Sequence, residues 1–201
     1  TNIVTVEDPV EYHQPGIQQV QVRPVVGLDF AHTLRSILRQ DPDVIMVGEI
    51  RDLETAQMAV RAALTGHLVF STLHTNDAIS TFVRLANIGV ESHLVAACVT
   101  LVAAQRLVRK ICPKCKEAYT PPPSEQALFD FLLAPPAVLY RGKSCPSCRN
   151  TGYSGRVGVY EMFPVTPKMR QAITEGANRY VLNDFAAEAG LDSLHRNGLK
   201  K

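Results

Sequence analysis

Short apolar runs that end in polar residues recur along the first half of the chain. Residues 44–47 (VIMV) are apolar without a break and end at Gly48. An uninterrupted run of this length, with β-branched residues in it, predicts a short buried strand. Residues 3–6 and 67–73 have a similar character, and each run is also followed by polar residues. The pattern therefore predicts three strands that carry polar side chains at their carboxyl ends.

Helical periodicity separates these strands. After Asp29, apolar residues recur at a spacing typical of one helix face, which predicts a helix that Asp29 caps and Pro42 ends. Asp52 caps a second predicted helix over residues 53–64, and Gly66 follows its end. Both helices connect one predicted strand to the next.

Two further helices are predicted after the strand at residues 67–73. One begins at Asn76 or Asp77 and runs through Leu85. The other covers residues 91–110, where apolar positions are followed by basic residues that suit the negative end of a helix dipole. We predict it as one long helix.

The remaining segments complete an α/β pattern. A proline–glycine pair breaks residues 10–22 and predicts a hairpin or an extended excursion. A strand at residues 158–163 and helices near residues 167–174 and 179–189 are predicted towards the end. Alternating strands and helices favour a mostly parallel sheet that helices cover on both faces.

Composition places the chain among ordinary globular proteins, with one domain or one domain and a small appendage. Of its 201 residues, 46% are hydrophobic and 20% are charged, and the net charge of +2 selects neither for nor against a polyanionic partner. No apolar run reaches the roughly 18 residues of a membrane span. Because the first residue is Thr and no signal peptide is present, we expect a fragment or a processed product.

Polar side chains that can take part in catalysis or bind a ligand follow each of the three predicted strands. Glu7 and Asp8 follow the first strand, Glu49 the second and His74 the third. The carboxyl ends of parallel strands share one edge of a sheet, where ligands of open α/β sheets bind. Nucleotide hydrolysis needs such a set, because a carboxylate orients or deprotonates water and further groups contact the phosphates. Each cluster alone also fits a core strand followed by a polar loop.

Five arginines are candidates for contacts to phosphate or to a neighbouring subunit. They are Arg35, Arg39, Arg51, Arg106 and Arg156. Surface solvation or a local ion pair is the alternative for any one of them. Arg39 and Arg51 flank the strand at residues 44–47, and this position favours them over the others.

A phosphate-binding loop of the form G-x-x-x-x-G-K-[ST] is missing from the chain. The sequence Gly142-Lys143-Ser144 has Ala137 where the first glycine of that pattern belongs, and it leads directly into Cys145. We interpret it as a loop beside a metal site. The nucleotide site is therefore expected to be incomplete in this chain.

Four cysteines form two C-x-x-C pairs, Cys112 with Cys115 and Cys145 with Cys148. Two such pairs can bring four thiolates into the tetrahedral arrangement that Zn²⁺ prefers in structural sites. The residues between the pairs exceed the usual spacing of about 15–20, so a loop or a short helix such as residues 127–133 is expected there. The alternative is a pair of disulfides, which the absence of a secretion signal disfavours. Cys98 is predicted to be a separate, buried thiol.

The motifs together resemble the secretion ATPases of type II secretion and type IV pilus systems, the GspE/PilB family. Residues 5–12 (TVEDPVEY) resemble the aspartate box of that family, and residues 38–52 resemble its atypical Walker B segment. Residues 65–77 resemble its histidine box. The two cysteine pairs and residues 152–161 are similar to its metal-binding insertion and the strand that resumes the core.

The resemblance implies an α/β, RecA-like fold, in which helices flank a mostly parallel sheet, with a small tetracysteine zinc lobe and a C-terminal helical segment. The implied division is residues 1–110 for the first part of the ATPase domain, 111–150 for the zinc-binding insertion and 151–201 for the C-terminal part. Glu7 and Glu49 would act at Mg²⁺ and the attacking water, and His74 would lie near the γ-phosphate of ATP. The residues implied in binding the cofactor are Asp8, Arg39, Arg51, His67 and Arg156.

For function, the resemblance implies a cytoplasmic homo-hexamer, peripheral at the inner membrane, that hydrolyses ATP to drive type IV pilus assembly. An inner-membrane platform protein and cytoplasmic assembly proteins are the implied partners. Type II secretion is the alternative, and the zinc insertion favours either activity over pilus retraction. Without the phosphate-binding loop, this C-terminal fragment alone is not expected to hydrolyse ATP.

A zinc-dependent module that binds a partner protein or nucleic acid, without catalysis, is the hypothesis from another class. Binding of nucleic acid calls for a basic face with interleaved aromatic residues. Residues 110–149 contain the basic side chains but few paired aromatic residues. No nucleic-acid partner is therefore expected.

Overall fold

The computed structural model describes residues 1–127 and 138–200, and the chain forms two compact units. The first unit comprises Thr1–Ala103 and Met162–Leu191, and the second comprises Ala104–Glu161 and Asp192–Lys201. The predicted division at residues 110 and 150 stays a prediction. Apart from Ala127, the helix predicted at residues 127–133 lies outside the described residues.

A four-stranded parallel sheet with the order β2-β1-β3-β4 lies in the first unit. Its strands are β1 (Ile3–Glu7), β2 (Gln18–Gln21), β3 (Val44–Val47) and β4 (Leu68–Ser71). The apolar residues of β1 and β3 form its core, and Val4, Val6, Ile45 and Val47 are fully buried. The predicted parallel α/β sheet is confirmed.

The sheet has a switch point between β1 and β3. The chain passes from β1 to β2 on one side and then crosses to β3 on the other side of β1. Because β2 runs parallel to β1, residues 8–17 form an extended excursion, and the alternative of a hairpin is wrong. In open parallel sheets, ligands bind in the crevice at the carboxyl ends of the strands where the order reverses.

Helices cover the sheet as the apolar periodicity predicts. They are α1 (Phe30–Ile37), α2 (Leu53–Leu64), α3 (Ser80–Ile88) and α4 (Ser92–Cys98). The carboxylate of Asp29 accepts a hydrogen bond from His32 N at 2.7 Å, and that of Asp52 accepts one from Thr55 N at 2.8 Å. Both predicted caps are confirmed, since each carboxylate satisfies a backbone N–H that has no partner within the helix.

The prediction of one helix over residues 91–110 is wrong. The helix α4 ends at Cys98, and β5 (Leu101–Ile111) follows and pairs with β8 (Tyr153–Pro164). At the start of β5, Leu101 and Ala103 are exposed whereas Val102 and Ala104 are buried, which is the alternation of a strand. The pairing partner lies about 50 residues further along the chain, so local periodicity gives no sign of it.

The strand predicted at residues 67–73 is present but shorter and less buried than expected. It is the last strand in the sheet order, and Leu68 and Phe70 are 52% and 54% exposed. An apolar run does not distinguish a central strand from an edge strand.

The second unit holds a small antiparallel pair, β6 (Lys116–Tyr119) with β7 (Leu139–Gly142), next to the cysteine pairs. Its helices are α5 (Pro123–Gln126) and α8 (Leu194–Leu199). The first unit ends with α6 (Pro167–Thr174) and α7 (Arg179–Glu188), which confirms both predicted C-terminal helices. In the part of the chain that the structure describes, no helix combines the length and the apolar character that crossing a membrane requires.

Candidate functional site

Backbone hydrogen bonds continue beyond the ends of the strands and hold the polar clusters at one edge of the sheet. Gly48 N donates to Val6 O at 2.7 Å, which places Gly48 beside Glu7. Ile50 N donates to Thr72 O at 3.0 Å, and the Thr72 hydroxyl donates to Gly48 O at 2.6 Å. The segments after β1, β3 and β4 are therefore fastened side by side at the switch point.

Gly48 permits this close approach because it has no Cβ. A Cβ at this position would lie 3.0 Å from Val6 O and 3.4 Å from the Cα of Glu7. Any larger residue would push β3 away from β1 unless the backbone gave way. The glycine that ends the apolar run thus brings the two glutamates into neighbouring positions.

Glu49 has a largely enclosed carboxylate at this edge, with its side chain only 12% exposed. Its Oε1 lies 2.5 Å from Arg51, and its Oε2 lies 3.1 Å from Nε2 of His74. The hydrogen bond from Arg51 is the main influence, and it holds the pKa of Glu49 below its ordinary value although burial opposes the shift. The same contact raises the pKa of Arg51. At neutral pH, Glu49 is therefore an ionised carboxylate that can accept a proton or ligate a cation.

Glu7 lies at the end of β1 and is held through one of its two oxygens. Its Oε1 accepts hydrogen bonds from the Thr5 hydroxyl at 2.5 Å and from Gln19 Nε2 at 2.9 Å. Asp8 is exposed beside it and contributes electrostatically to the raised pKa of Arg51. Because both donors bind Oε1, the other oxygen, Oε2, is left available to a cation.

His74 lies in the loop after β4 with its side chain 85% exposed. Its contact with Glu49 joins the histidine box to the segment after β3. The structure thus brings together five of the predicted site residues. They are Glu7, Asp8, Glu49, Arg51 and His74.

Two other predicted residues lie near the opposite edge of the sheet. Arg39 is exposed just after α1. The next two residues, Gln40 and Asp41, accept hydrogen bonds through their carbonyl oxygens from the side chain of Asn2, which precedes β1. His67 precedes β4, and its Nδ1 lies 2.9 Å from Ala62 O. The structure does not bring either residue to the carboxyl ends of the strands.

Arg156 lies on β8 in the second unit, and its role stays a prediction.

The sequence-based prediction assigned no specific role to three residues that organise the site, Thr5, Gln19 and Thr72. The parallel register of β1 and β2 pairs Thr5 with Gln19 across the strands. A segment with three glutamines in four residues, QQVQ, gives no local sign of which glutamine faces Glu7. Only the tertiary pairing of β2 reveals it.

The four paired cysteines converge in the second unit on geometry that suits a tetrahedral metal ion. Their sulfurs all lie within 4.8 Å of one another, with 3.9 Å between Cys112 and Cys145 and 3.7 Å between Cys145 and Cys148. A tetrahedral ion with metal–sulfur bonds of about 2.3 Å separates its ligands by about 3.8 Å. All four thiols are free, so the alternative of two disulfides is wrong.

Backbone donors favour a thiolate at this cluster. Burial opposes ionisation of Cys148, but the N–H groups of Cys145 and Gly152 lie 3.3 and 3.2 Å from its sulfur, and its pKa falls to about 6. Burial raises the pKa of Cys115 to about 12. Cys98 is separate and half-buried on α4, where burial raises its pKa. The cluster can hold a metal ion, which would draw all four sulfurs into the thiolate state.

Comparison with known proteins agrees with this geometry. The family described as "Type II/IV secretion system protein" matches residues 1–201. The chain is 49% identical over 205 residues to the type IV pilus assembly ATPase PilB of Myxococcus xanthus, a match that covers 100% of this chain and 36% of that protein. It is 48% identical over 200 residues to the type II secretion system ATPase E of Vibrio cholerae, with 100% and 40% covered.

A solved structure shares the fold. The crystal structure of the pilus retraction motor PilT with bound ADP superposes with a TM-score of 0.64 at 30% sequence identity, and the match covers 98% of this chain and 51% of that chain. The chain therefore spans well under two thirds of the length of each of these relatives.

Proposed function

Because the chain belongs to the type II/IV secretion system protein family, whose model matches it from residue 1 to residue 201, we propose that the full-length protein hydrolyses ATP to drive type IV pilus assembly. One observation carries the proposal. Glu49, ionised and largely enclosed, lies at the switch point of a parallel sheet beside Glu7, with Arg51 and His74 in contact with it. Glu49 can accept a proton from water there, as hydrolysis of a phosphoanhydride requires.

Each residue of the edge has a proposed role. Glu7, through its second oxygen, and Asp8 would hold Mg²⁺, which prefers oxygen ligands and neutralises phosphate charge. Glu49 would orient and deprotonate the attacking water, while Arg51 holds it in the ionised state. His74, exposed beside Glu49, would contact the γ-phosphate. Bound MgATP supplies the phosphoanhydride bond that is broken.

The cradle for the phosphates is expected from another part of the full-length protein. No segment of this chain has the pattern G-x-x-x-x-G-K-[ST]. We therefore propose that this chain by itself does not turn over ATP.

Zinc is the metal that we propose for the tetracysteine cluster. Four sulfurs at tetrahedral spacing favour a soft-ligand site of the closed, structural type. Because such a site leaves no open coordination position, its proposed role is to stabilise the second unit and not to take part in hydrolysis.

The proposed assembly is a homo-hexamer in the cytoplasm at the inner membrane. An inner-membrane platform protein and cytoplasmic assembly proteins are its proposed partners. Family membership and the names of the relatives support a role as one component of a pilus or secretion machine.

Type II secretion is the second candidate function, because the relative from Vibrio cholerae is almost as similar to the chain as the one from Myxococcus xanthus. Introducing the full-length gene into cells that lack their own pilus ATPase, and into cells that lack their own secretion ATPase, separates the two. Restored surface pili support the first candidate, and restored protein secretion supports the second.

The central test is the change Glu49→Gln in the full-length protein. The amide keeps the shape of the side chain but cannot accept the proton of water, so turnover of ATP should fall by about 10²–10⁴-fold. Glu91→Gln is the matched control, because Glu91 is exposed before α4 and its carboxylate lies 3.4 Å from Nδ1 of the neighbouring His93, away from the strand ends. Normal turnover by the Glu49→Gln protein would overturn the assignment.

A further inference from the structure

The excursion between β1 and β2 lies against the segment that carries Glu7. Residues 8–17 leave the end of β1, are largely exposed, and return as β2. Tyr12 in this excursion is 79% exposed. Such a segment needs specific contacts to keep one position, because little apolar burial fixes it.

Gln19 supplies those contacts with a single carboxamide. Its Nε2 donates to Tyr12 O at 2.9 Å, and its Oε1 accepts from Gln14 N at 2.7 Å. The same Nε2 donates to Glu7 Oε1 at 2.9 Å. One side chain therefore joins the excursion at two points and the carboxylate at a third.

The contact to Glu7 determines which way the carboxylate points. Gln19 and Thr5 both donate to Oε1, so the rotation of the carboxylate is fixed and Oε2 is the oxygen left for another partner. Hydrogen bonds to a ligating carboxylate orient it and strongly affect metal affinity. The register that pairs Gln19 with Thr5 places both donors on the same side of Glu7.

We propose that Gln19 is a positioning residue that holds Glu7 and the excursion of residues 8–17 as one unit. A displacement of the excursion is transmitted to the carboxylate through this carboxamide, and loss of the carboxamide frees both. The proposal rests on the proposed function in one respect, namely that Glu7 acts at Mg²⁺.

The test compares Gln19→Glu and Gln19→Met in the full-length protein. The first change sets a second carboxylate against Glu7, and the second keeps the length of the side chain without its hydrogen bonds. Gln18→Glu is the matched control, because Gln18 is the adjacent residue of β2, is exposed, and contacts Asn2 and not Glu7. Thermal unfolding identifies any variant that fails to fold.

Two measurements decide the outcome. Hydrogen–deuterium exchange of peptides covering residues 9–17 should become about tenfold faster in both Gln19 variants, because the clamp is lost. The Mg²⁺ concentration that half-saturates ATP hydrolysis should rise by about 10–100-fold in the Gln19→Met protein, which loses the orienting hydrogen bond without gaining a charge. The Gln18→Glu protein should match the unaltered protein in both.

The possible results separate this inference from the proposed function. Unchanged exchange at residues 9–17, or faster exchange with an unchanged Mg²⁺ requirement, overturns the positioning role of Gln19. If the unaltered full-length protein shows no Mg²⁺-dependent ATP hydrolysis, the proposed function fails, and the exchange measurement alone still decides whether Gln19 clamps the excursion.

Discussion

Asp77 and Arg179 are separated by 102 residues in the sequence and form an ion pair of 2.8 Å in the fold. The other carboxylate oxygen of Asp77 accepts a hydrogen bond from Ser80 N at 2.8 Å. Asp77 therefore fastens the first turn of α3 and the first residue of α7 at the same point. Because Asp77 lies in the loop that carries His74, the ion pair ties helix α7 to that loop.

Breaking this pair should speed hydrogen exchange in the loop at residues 72–77. The free energy of unfolding of the whole protein should change little. We expect Arg179→Gln to cost less than about 1 kcal/mol of unfolding free energy, since the arginine is largely exposed. Asp77→Ala should cost about 1 kcal/mol more, because the hydrogen bond to Ser80 N is lost as well. Chemical denaturation and hydrogen exchange of the loop measure the two effects.

The control for this pair is Lys168→Gln, which removes the 2.7 Å ion pair to Glu188 between α6 and α7 but has no contact to the loop. Its loop should exchange like that of the unaltered protein. Equal costs for Asp77→Ala and Arg179→Gln would contradict the double role of Asp77.

The titration of Glu49 should depend on Arg51. In the folded chain the pKa of Glu49 is lowered mainly by the hydrogen bond from Arg51. A carboxyl whose folded pKa is depressed contributes stability above its ordinary pKa, and that contribution is lost as the pH falls through the depressed value. Arg51→Gln should therefore raise the pKa of Glu49 and weaken the fold at neutral pH but not in acid.

Carbon-13 NMR of the Glu49 carboxyl between about pH 2 and pH 7 follows this shift. Arg35→Gln is the control, because it removes the exposed pair with Glu54 at 3.1 Å and does not touch Glu49. If Glu49 titrates identically with and without Arg51, the pair does not determine its charge.

Gly48→Ala should destabilise the edge of the sheet. The added Cβ would meet Val6 O at 3.0 Å, and relieving that contact requires β3 to move away from β1. We expect a loss of about 1–3 kcal/mol in unfolding free energy and reduced ATP hydrolysis by the full-length protein. Gly198→Ala is the control, because Gly198 lies within α8 and the added Cβ would be 3.9 Å from Val159, an ordinary contact distance. This change should be neutral or slightly stabilising. A neutral Gly48→Ala would show that the edge adapts without strain.

Metal removal should affect the second unit specifically. Elemental analysis should find one zinc ion per chain. The Cys148→Ser protein should lose this zinc, because the closed site needs four thiolates. Zinc binding in small modules is worth roughly 10–16 kcal/mol, so chelation should disorder the residues around the cluster. Cys98→Ser is the control and should retain the metal, since Cys98 lies outside the cluster. Metal retained in Cys148→Ser would contradict four-sulfur coordination.

Local chemistry made part of this fold predictable from the sequence. Asp52 and the apolar spacing after it predict residues 53–64 as a helix, and α2 has those bounds because its cap and its buried face are both local features. The glutamates of the site were predictable for a similar reason, since Glu7 is the last residue of β1 and Glu49 lies two residues after the end of β3. Parallel strands then bring such residues to one edge whatever the intervening length.

Pairing between distant segments accounts for what the sequence did not reveal. The apolar spacing around Leu101 and Val102 fits a helix in isolation, and its strand conformation depends on β8. Gln19 is indistinguishable from Gln18 until β2 is placed beside β1. In both cases the deciding contact lies outside any local window of sequence.

The position of β4 at the end of the sheet order has a practical consequence for work with this chain in isolation. Its outer backbone N–H and C=O groups, with Leu68 and Phe70 half exposed beside them, offer an extended segment a template for hydrogen bonding. We expect two copies to pair through this strand at high concentration. A single lysine in place of Phe70 should therefore raise the solubility of the isolated chain.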